Sequence, residues 1–391
     1  MKALVEKTIS LLFKAIGQFN KQNLIYLESF HGTQYSDNPK AIYEWLKKEY
    51  PEYTLVWGVT KGSEKPFREE KVSYVLRFSF KWFLTMPRAR FWITNTRQPL
   101  WLHKSKKTTY LQTWHGTPLK KLGRDIEEVN IPGYSKESYG ESFSKESARW
   151  DYLVSPSQYA TKIFKSAFGY QGPVLETGYP RNDCLTQISG NAEKVTTLKK
   201  KIGLPTDKQL VLYAPTWREK EQRVNGKYQF STPFPFDEVV ENLGEEAILL
   251  VRMHYLVAQA FDFDRYADKV INVSTGYDMA ELLAVSDLLI TDYSSSMFDY
   301  AITGNPMIFY IPDQKEYDEE MRGFYFPMEN HLPGEMASDK DSLIQTLITW
   351  KKDKELIKTP QYATFKETFT TLETGQAAKQ VTQALLQNRE D

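Results

Sequence analysis

The chain has 391 residues, 41% hydrophobic and 26% charged, which is the composition of a globular protein of about two domains and excludes a disordered chain. Lysine plus arginine equals aspartate plus glutamate, 50 against 50, so overall charge is uninformative; no nucleic-acid partner is expected. Cys184 is the only cysteine, which excludes an internal disulfide and a cysteine-built zinc site and fits a reducing, cytosolic setting.

Residues 1–22 read as an amphipathic N-terminal helix. At 100° per residue, Leu4, Val5, Ile9, Leu11, Leu12, Phe13, Ile16 and Phe19 fill one wide arc, with Lys7, Ser10, Lys14 and Gln18 opposite. That shape suits a membrane interface and equally a helix packed on its own domain. Lys7 and Lys14 interrupt the apolar run, so no signal peptide is expected. No stretch of about 18 uncharged apolar residues follows, so no membrane span is expected.

Short apolar runs then alternate with helical patterns. Residues 23–27 (NLIYL) read as a strand, and residues 38–50 as a helix opened by Asn38 and Pro39. Strands are expected at 53–59, 90–95, 108–112, 152–155 and 173–177, with a helix over 157–168. A boundary is expected within 190–207. Beyond it, residues 209–214, 247–252, 270–273, 288–291 and 307–311 read as buried strands, with helices over 278–285 and 296–302. The expected division is 1–22 for the helix, 23–195 for an N-terminal α/β domain, 205–350 for a C-terminal α/β domain and 351–391 for a helical tail. Strands alternating with helices imply α/β architecture: two doubly wound, Rossmann-like domains with a cleft between them. Ligands in such folds bind at the carboxyl ends of the strands.

Charge is unevenly spread. Residues 71–124 hold twelve Lys/Arg and no Asp or Glu, along with Phe78, Phe80, Trp82, Phe83, Phe91, Trp92, Trp101 and Trp114. A basic, aromatic-rich stretch suggests an anionic partner, either a phosphorylated ligand or an anionic membrane surface. The competing reading pairs these cations with acids elsewhere in the fold.

Five strand ends carry polar or basic residues. Residues 111–123 read LQTWHGTPLKKLG, a strand running into a turn, where Gly116 permits an unusual backbone and Pro118 suits a first helical turn. His115 then lies at a strand's carboxyl end beside a helix start, a good place for a general base. Residues 251–254 read VRMH, which would put Arg252 and His254 on one side of a strand, where they could hold a phosphate. Residues 289–299 read LITDYSSSMFD; serines at a helix start can bind an anion, and they also simply cap helices. Residues 178–182 (GYPRN) and 214–218 (APTWR) have the same form. The sequence lacks GxxxxGK[ST], HExxH and GxSxG, which argues against a P-loop nucleotidase, a zinc protease and a serine hydrolase. No acidic metal-ligand cluster is evident, and no metal or cofactor is expected.

These blocks, in this order, resemble the CDP-glycerol:poly(glycerophosphate) glycerophosphotransferase family of teichoic-acid-type polymer synthesis. The likeness rests on TWHGTPLKKLG, the TGYPRND of 177–183, the YAPTWR of 213–218, the RMH of 252–254, and TDYSSSMFD followed by GNPMIFY. It runs from about residue 23 to residue 325. The resemblance implies a glycosyltransferase-B-like fold with the donor nucleotide in the C-terminal half. It implies transfer of glycerol phosphate or ribitol phosphate from a CDP-polyol to a hydroxyl of a lipid-linked (polyprenyl diphosphate) acceptor, releasing CMP, by a peripheral enzyme at the cytoplasmic face of the membrane. Carried onto this chain, the donor-binding positions are Trp114, Gly116, Thr117, Pro118, Arg181, Thr216, Arg252, Met253, Ser294, Ser295 and Asp299. His115 is the expected base and His254 the second catalytic residue. The family often has proline after Arg–Met–His, where this chain has Tyr255. Larger members carry an extra N-terminal region; this chain has the length of the smaller primase- and extension-type members. Two other readings stay open: a nucleotide-sugar glycosyltransferase or epimerase on the same fold, and a non-enzymatic, membrane-associated polyanion-binding protein.

Overall fold

The structure is a computed structural model of the chain. It describes residues 2–127, 129, 133, 135–216, 223–224, 227–228, 233–253, 261–312, 323–325, 328 and 331–387. The chain divides into two compact units, one of residues 1–183 with 372–391 and the other of residues 184–371.

Unit 1 is built on seven parallel strands: β1 (Lys21–Glu28), β2 (Thr54–Val59), β3 (Tyr74–Leu76), β4 (Ala89–Thr94), β5 (Thr109–Gln112), β6 (Tyr152–Ser155) and β7 (Val174–Glu176). Their spatial order is β3-β2-β1-β4-β5-β6-β7. The chain therefore winds outward from β1 in one direction and then from β4 in the other. Neighbouring strands leave β1 and β4 on opposite sides, and a crevice opens outside their carboxyl ends. Both faces are covered. Tyr26, Trp82, Trp92, Tyr110, Phe164 and Phe168 pack one side, and Ile25, Leu27, Trp57, Phe91 and Leu111 pack the other. A sheet buried on both faces reads as continuous apolar runs, and these strands do.

Unit 2 repeats the winding. Its sheet contains β8 (Gln209–Tyr213), β11 (Ala247–Val251), β12 (Val270–Asn272), β13 (Leu288–Thr291), β14 (Met307–Tyr310) and β15 (Glu335–Ala337). All are parallel, in the order β12-β11-β8-β13-β14-β15. Here the winding reverses between β8 and β13. A small antiparallel ribbon pairs β9 (Arg223–Val224) with β10 (Lys227–Tyr228).

The units divide earlier than the 190–207 expected from sequence, and the tail does not form a segment of its own. Residues 351–371 belong to unit 2, and residues 372–391 return to unit 1. Two carboxylates hold them there. Asp183 accepts hydrogen bonds from Ala377 N and Ala378 N, each at 2.8 Å, and so caps the last helix, Ala377–Gln387. Glu373 accepts from Tyr179 N and from Asn182 Nδ2. Gly178, at φ 82°, lies so close that a Cβ there would meet Glu373 Oε2 at 2.6 Å. Val381, Leu385 and Leu386 of that helix then join Ile42, Tyr43 and Leu46 of α2 (Asp37–Glu49) in the core.

The first helix, α1 (Lys2–Ile16), packs one edge of its apolar arc on the domain, as one of the two sequence readings has it. Phe13 is fully buried against Trp82 and Phe83, with Ile9 beside it. Leu4, Val5, Leu11 and Leu12 form a neighbouring strip that stays exposed. The arc is wide enough for one edge to pack on the domain and the other to face outward. The basic stretch is also divided. Arg77 pairs with the buried Glu28, Lys104 with Asp151 and Lys121 with Glu127. Arg88, Arg90 and Lys107 donate to backbone carbonyls. Lys71, Lys81 and Lys106 are exposed.

The tail contacts set the first expected outcome. Asp183→Ala removes the cap of the last helix and should cost about 1–2 kcal/mol, the range for losing a good N-cap. Glu373→Ala leaves buried donors unpaired and should cost about 1–3 kcal/mol. Urea unfolding monitored by fluorescence measures both; values within experimental error of the parent protein would show that the tail only rests on unit 1.

Candidate functional site

In unit 1 the polar residues converge where β1, β4 and β5 end. His115 follows β5. Its Nδ1 lies 2.6 Å from the carbonyl oxygen of Asn95, which follows β4. A carbonyl can only accept, so Nδ1 carries the proton and Nε2 keeps its lone pair. The imidazole stacks on Trp114, with centroids 4.5 Å apart, and its edge meets the Phe30 ring at 5.7 Å. Burial pulls its pKa below the usual value of 6.5, Arg181 and His31 pull the same way, and the Asn95 carbonyl and Asp37 oppose them. The ring is therefore neutral at pH 7, with its basic nitrogen available.

The turn that places His115 differs from the sequence expectation in two ways. Gly116 does not adopt a left-handed backbone; Trp114 does, at φ 52°. Its indole is buried against Phe164 and Phe168, and that packing fixes the turn. No helix follows Pro118 either. The chain runs on irregularly to a single 3₁₀ turn at Gly123–Asp125. The Pro118 carbonyl, which a helix would use internally, accepts the Tyr159 hydroxyl at 2.9 Å. Thr117 and Pro118 are buried.

Arg181 comes to the same place from the end of β7. Its guanidinium pairs with Asp37 at 3.1 Å and lies over the Tyr179 ring at 4.5 Å. Asn38, which the sequence marks only as a helix opener, ties the arrangement together. Its Oδ1 accepts from Arg181 N at 3.1 Å, and its Nδ2 donates to the Trp114 carbonyl at 3.1 Å.

In unit 2 Thr216, Ser294 and Ser295 lie at the other winding reversal, and Arg252 and Met253 follow the next strand out, β11. Thr216, after β8, donates its N–H to Asp292, after β13, at 2.8 Å. The Thr216 hydroxyl is buried and, among the described residues, has no partner. Arg252 lies just past the end of β11, not on the strand. Its NH1 donates to the carbonyls of Val273 and Tyr277 at 3.0 and 3.1 Å, so it anchors the turn after β12. Met253 is a core residue whose N–H donates to Ser274. Ser294 contacts the Ser296 hydroxyl at 2.9 Å and accepts from Ser296 N. Ser295 precedes a helix of only five residues, Ser296–Tyr300, and Asp299 is buried within it. His254 lies outside the described residues, as do Trp217 and Arg218.

Sequence reasoning missed Asp37, Asn38, Asn95 and Asp292. Each sits one to a few residues beyond a strand or at a helix start, next to a winding reversal. A search of every strand end at those reversals would have found Asn95 and Asp292.

The sequence profile described as CDP-Glycerol:Poly(glycerophosphate) glycerophosphotransferase matches residues 11–387. The chain is 45% identical to a teichoic acid glycerol-phosphate transferase of Staphylococcus aureus, over 98% of both chains. It is 40% identical to a teichoic acid poly(glycerol phosphate) polymerase of Bacillus spizizenii, again over 98% of both. Against the corresponding polymerase of Bacillus subtilis it is 41% identical and spans 50% of that protein. A solved structure of the wall teichoic acid polymerase TagF, soaked with CDPG, superposes with a TM-score of 0.89 at 35% identity, covering 98% of this chain and 93% of that one. A UDP-N-acetylglucosamine 2-epimerase-like structure from Listeria monocytogenes, at 14% identity and a TM-score of 0.54 over 95% and 97% of the two chains, shares the fold alone.

A base that must be neutral fails as pH falls through its pKa. With His115 as the base, its depressed pKa should put the acid limb of kcat/KM below 6.5, with a plateau near pH 7. His115→Ala should lower kcat by about 10²–10⁴-fold, the usual reach of general acid–base catalysis. A pH–rate profile and single-turnover rates measure both; an acid limb above that value, or near-parental turnover in the variant, contradicts the assignment.

Proposed function

The chain belongs to the CDP-glycerol:poly(glycerophosphate) glycerophosphotransferase family, and from that membership we propose that it transfers glycerol phosphate from CDP-glycerol, or ribitol phosphate from CDP-ribitol, to a hydroxyl of a lipid-linked acceptor and releases CMP. The observation that carries this reading is the His115 imidazole, neutral, with Nδ1–H committed to the Asn95 carbonyl and Nε2 left over. Nε2 takes the proton of the acceptor hydroxyl. The acceptor oxygen then bonds to the polyol-bearing phosphorus of the donor, the bond from that phosphorus to the bridging oxygen breaks, and CMP departs with the electron pair. The developing negative charge needs fixed cations and donors. Arg181, paired with Asp37 at the strand ends that carry His115, is one such cation; Arg252 and Thr216 are assigned to the donor by the resemblance of their motifs. Ser294, Ser295 and Asp299 border the strand ends of unit 2. His254 is assigned to the donor phosphates by the resemblance of its motif.

A lipid-linked acceptor requires an enzyme that meets a bilayer. No helix among the described residues is long and apolar enough to cross one. The exposed strip of α1 supports docking on the surface instead. Phe13 packs it against the short helix Phe80–Thr85, whose Phe80 and Leu84 are also exposed. Phe78 reaches Trp82 and Trp101 and remains half exposed. Lys7, Lys14, Lys71 and Lys81 are exposed on the same unit. Apolar side chains would enter the interface, and each lysine near an anionic leaflet would add roughly 1 kcal/mol, weakened by salt.

Two assays test these readings. Incubation with CDP-glycerol, CDP-ribitol and UDP-sugars beside a short lipid-linked acceptor, followed by product mass, should show a gain of one or more polyol-phosphate units and stoichiometric CMP. Discharge of UDP-sugars alone would move the chain to the sugar-transferase reading. In co-sedimentation, the protein should pellet with anionic but not zwitterionic vesicles, and Leu4→Glu with Leu11→Glu should release it. Equal binding to both lipids would remove the electrostatic part, and unchanged binding of the double variant would remove α1.

A further inference from the structure

One polar residue at the winding reversal of unit 1 has no part in the mechanism above. His31 lies in the turn after β1, directly across from Asn95 after β4. Phe30, His31 and Gly32 all have left-handed backbones, at φ 45°, 56° and 79°. Two consecutive non-glycine residues in that region are costly and persist only where the surroundings enforce them. They do so here. Phe30 N donates to Asn95 Oδ1 at 2.8 Å, His31 N points at Thr96 Oγ1 at 3.4 Å, and the His31 carbonyl accepts from Thr60 and Arg77 at 2.7 and 2.6 Å. The backbone of His31 is thus pinned on both sides, yet among the described residues its imidazole has no hydrogen-bond partner and is exposed. A strained, pinned backbone presenting a bare imidazole is a poor packing device and a good ligand contact.

The charges around that ring are unequal. Glu28 is fully buried and already engaged by Arg77, Tyr26 and Gln98. Arg97 also faces His31. It stacks on the Phe143 ring at 3.6 Å, donates to Ser142, and makes no ion pair among the described residues. Arg97 is therefore a cation with no ion-pair partner among the described residues, beside a neutral imidazole on the row of strand ends where ligands of this fold bind.

We propose that His31 and Arg97 form a subsite for a phosphodiester already present in the acceptor, the one that adjoins the hydroxyl deprotonated by His115. The proposal rests on the transferase reading and names what the acceptor must carry next to its nucleophile. Partial desolvation, with Arg77 and Arg97, holds His31 below its ordinary pKa against the opposing pull of Glu28. An incoming phosphodiester reverses that balance, so the ring takes up a proton as the anion binds.

The test uses the full chain and isothermal calorimetry with a three-unit oligo(glycerol phosphate), with CDP-glycerol in a separate titration. Asparagine tolerates the left-handed backbone, so His31→Asn removes the imidazole and keeps the turn; Arg97→Gln is the second variant. Both should weaken oligomer binding at least tenfold and leave CDP-glycerol affinity within twofold. Proton uptake at pH 7, read from titrations in two buffers, should accompany oligomer binding in the parent protein and disappear in His31→Asn. No oligomer binding by the parent protein overturns the subsite, as do unchanged oligomer affinity in both variants or equal weakening for both ligands, the last of which would assign His31 to the donor. Intact oligomer binding without any transfer from CDP-glycerol would sink the transferase reading and leave the subsite standing.

Discussion

The site in unit 1 depends on one short turn, residues 95–98, at the carboxyl end of β4. It holds His115 and the turn after β1, while Asn38 and Asp37 hold Arg181. The Asn95 carbonyl fixes His115, and its side chain holds Phe30. The Thr96 carbonyl accepts from Thr94 and Gln112, and Gln112 in turn accepts from Trp114 N. Gln98 anchors the turn from below by bridging two buried carboxylates, its side chain donating to Glu28 at 2.7 Å and its N–H to Glu146 at 3.1 Å. Burial pushes the Glu146 carboxyl up to about 6. Buried polar groups of this kind are costly unless matched, and the bonds that are made restrict the turn to few arrangements, although Asn95 Nδ2, Gln98 Oε1 and Glu146 Oε2 have no hydrogen-bond partner among the described residues. That is how a loop can hold an imidazole as firmly as a strand would.

Both units place their polar residues by the same topological rule. In each sheet the winding reverses between two central strands, and the loops leaving those strands diverge. Asn95 and His31 flank the reversal of unit 1, and Thr216 and Asp292 flank that of unit 2. Unit 1 needs one further element. The last helix closes over α2, and Glu373 ties its approach to Tyr179 and Asn182, the neighbours of Arg181. Glu373 of the tail thus reaches the site by holding the strand end that supplies its guanidinium.

The central strands were legible because each is an apolar run bounded by turn residues. Residues 288–291 and 152–155 match to the residue. Of the four three-residue edge strands, Val174–Glu176 and Val270–Asn272 fell within expected strands, whereas Tyr74–Leu76 and Glu335–Ala337 were missed. His115, Arg181 and Thr216 were legible as polar residues at strand ends. The path after His115 was not, because it is set by the burial of Trp114 and by the Tyr159 hydroxyl, contacts that local sequence does not encode. The destination of the tail was hidden for the same reason: an amphipathic helix shows that it has a buried face but not which unit will bury it. The role of Asn38 is long-range as well, linking residues far apart in the chain.

The proposed chemistry requires one state of one ring, His115. Nitrogen-15 spectroscopy of the histidine side chains, with His115 assigned by its loss in His115→Gln, reports charge and tautomer directly. At pH 7 the account predicts a neutral imidazole protonated at Nδ1, with Nε2 bare and titrating below 6.5. An imidazolium at that pH, or a neutral ring protonated at Nε2, would contradict it.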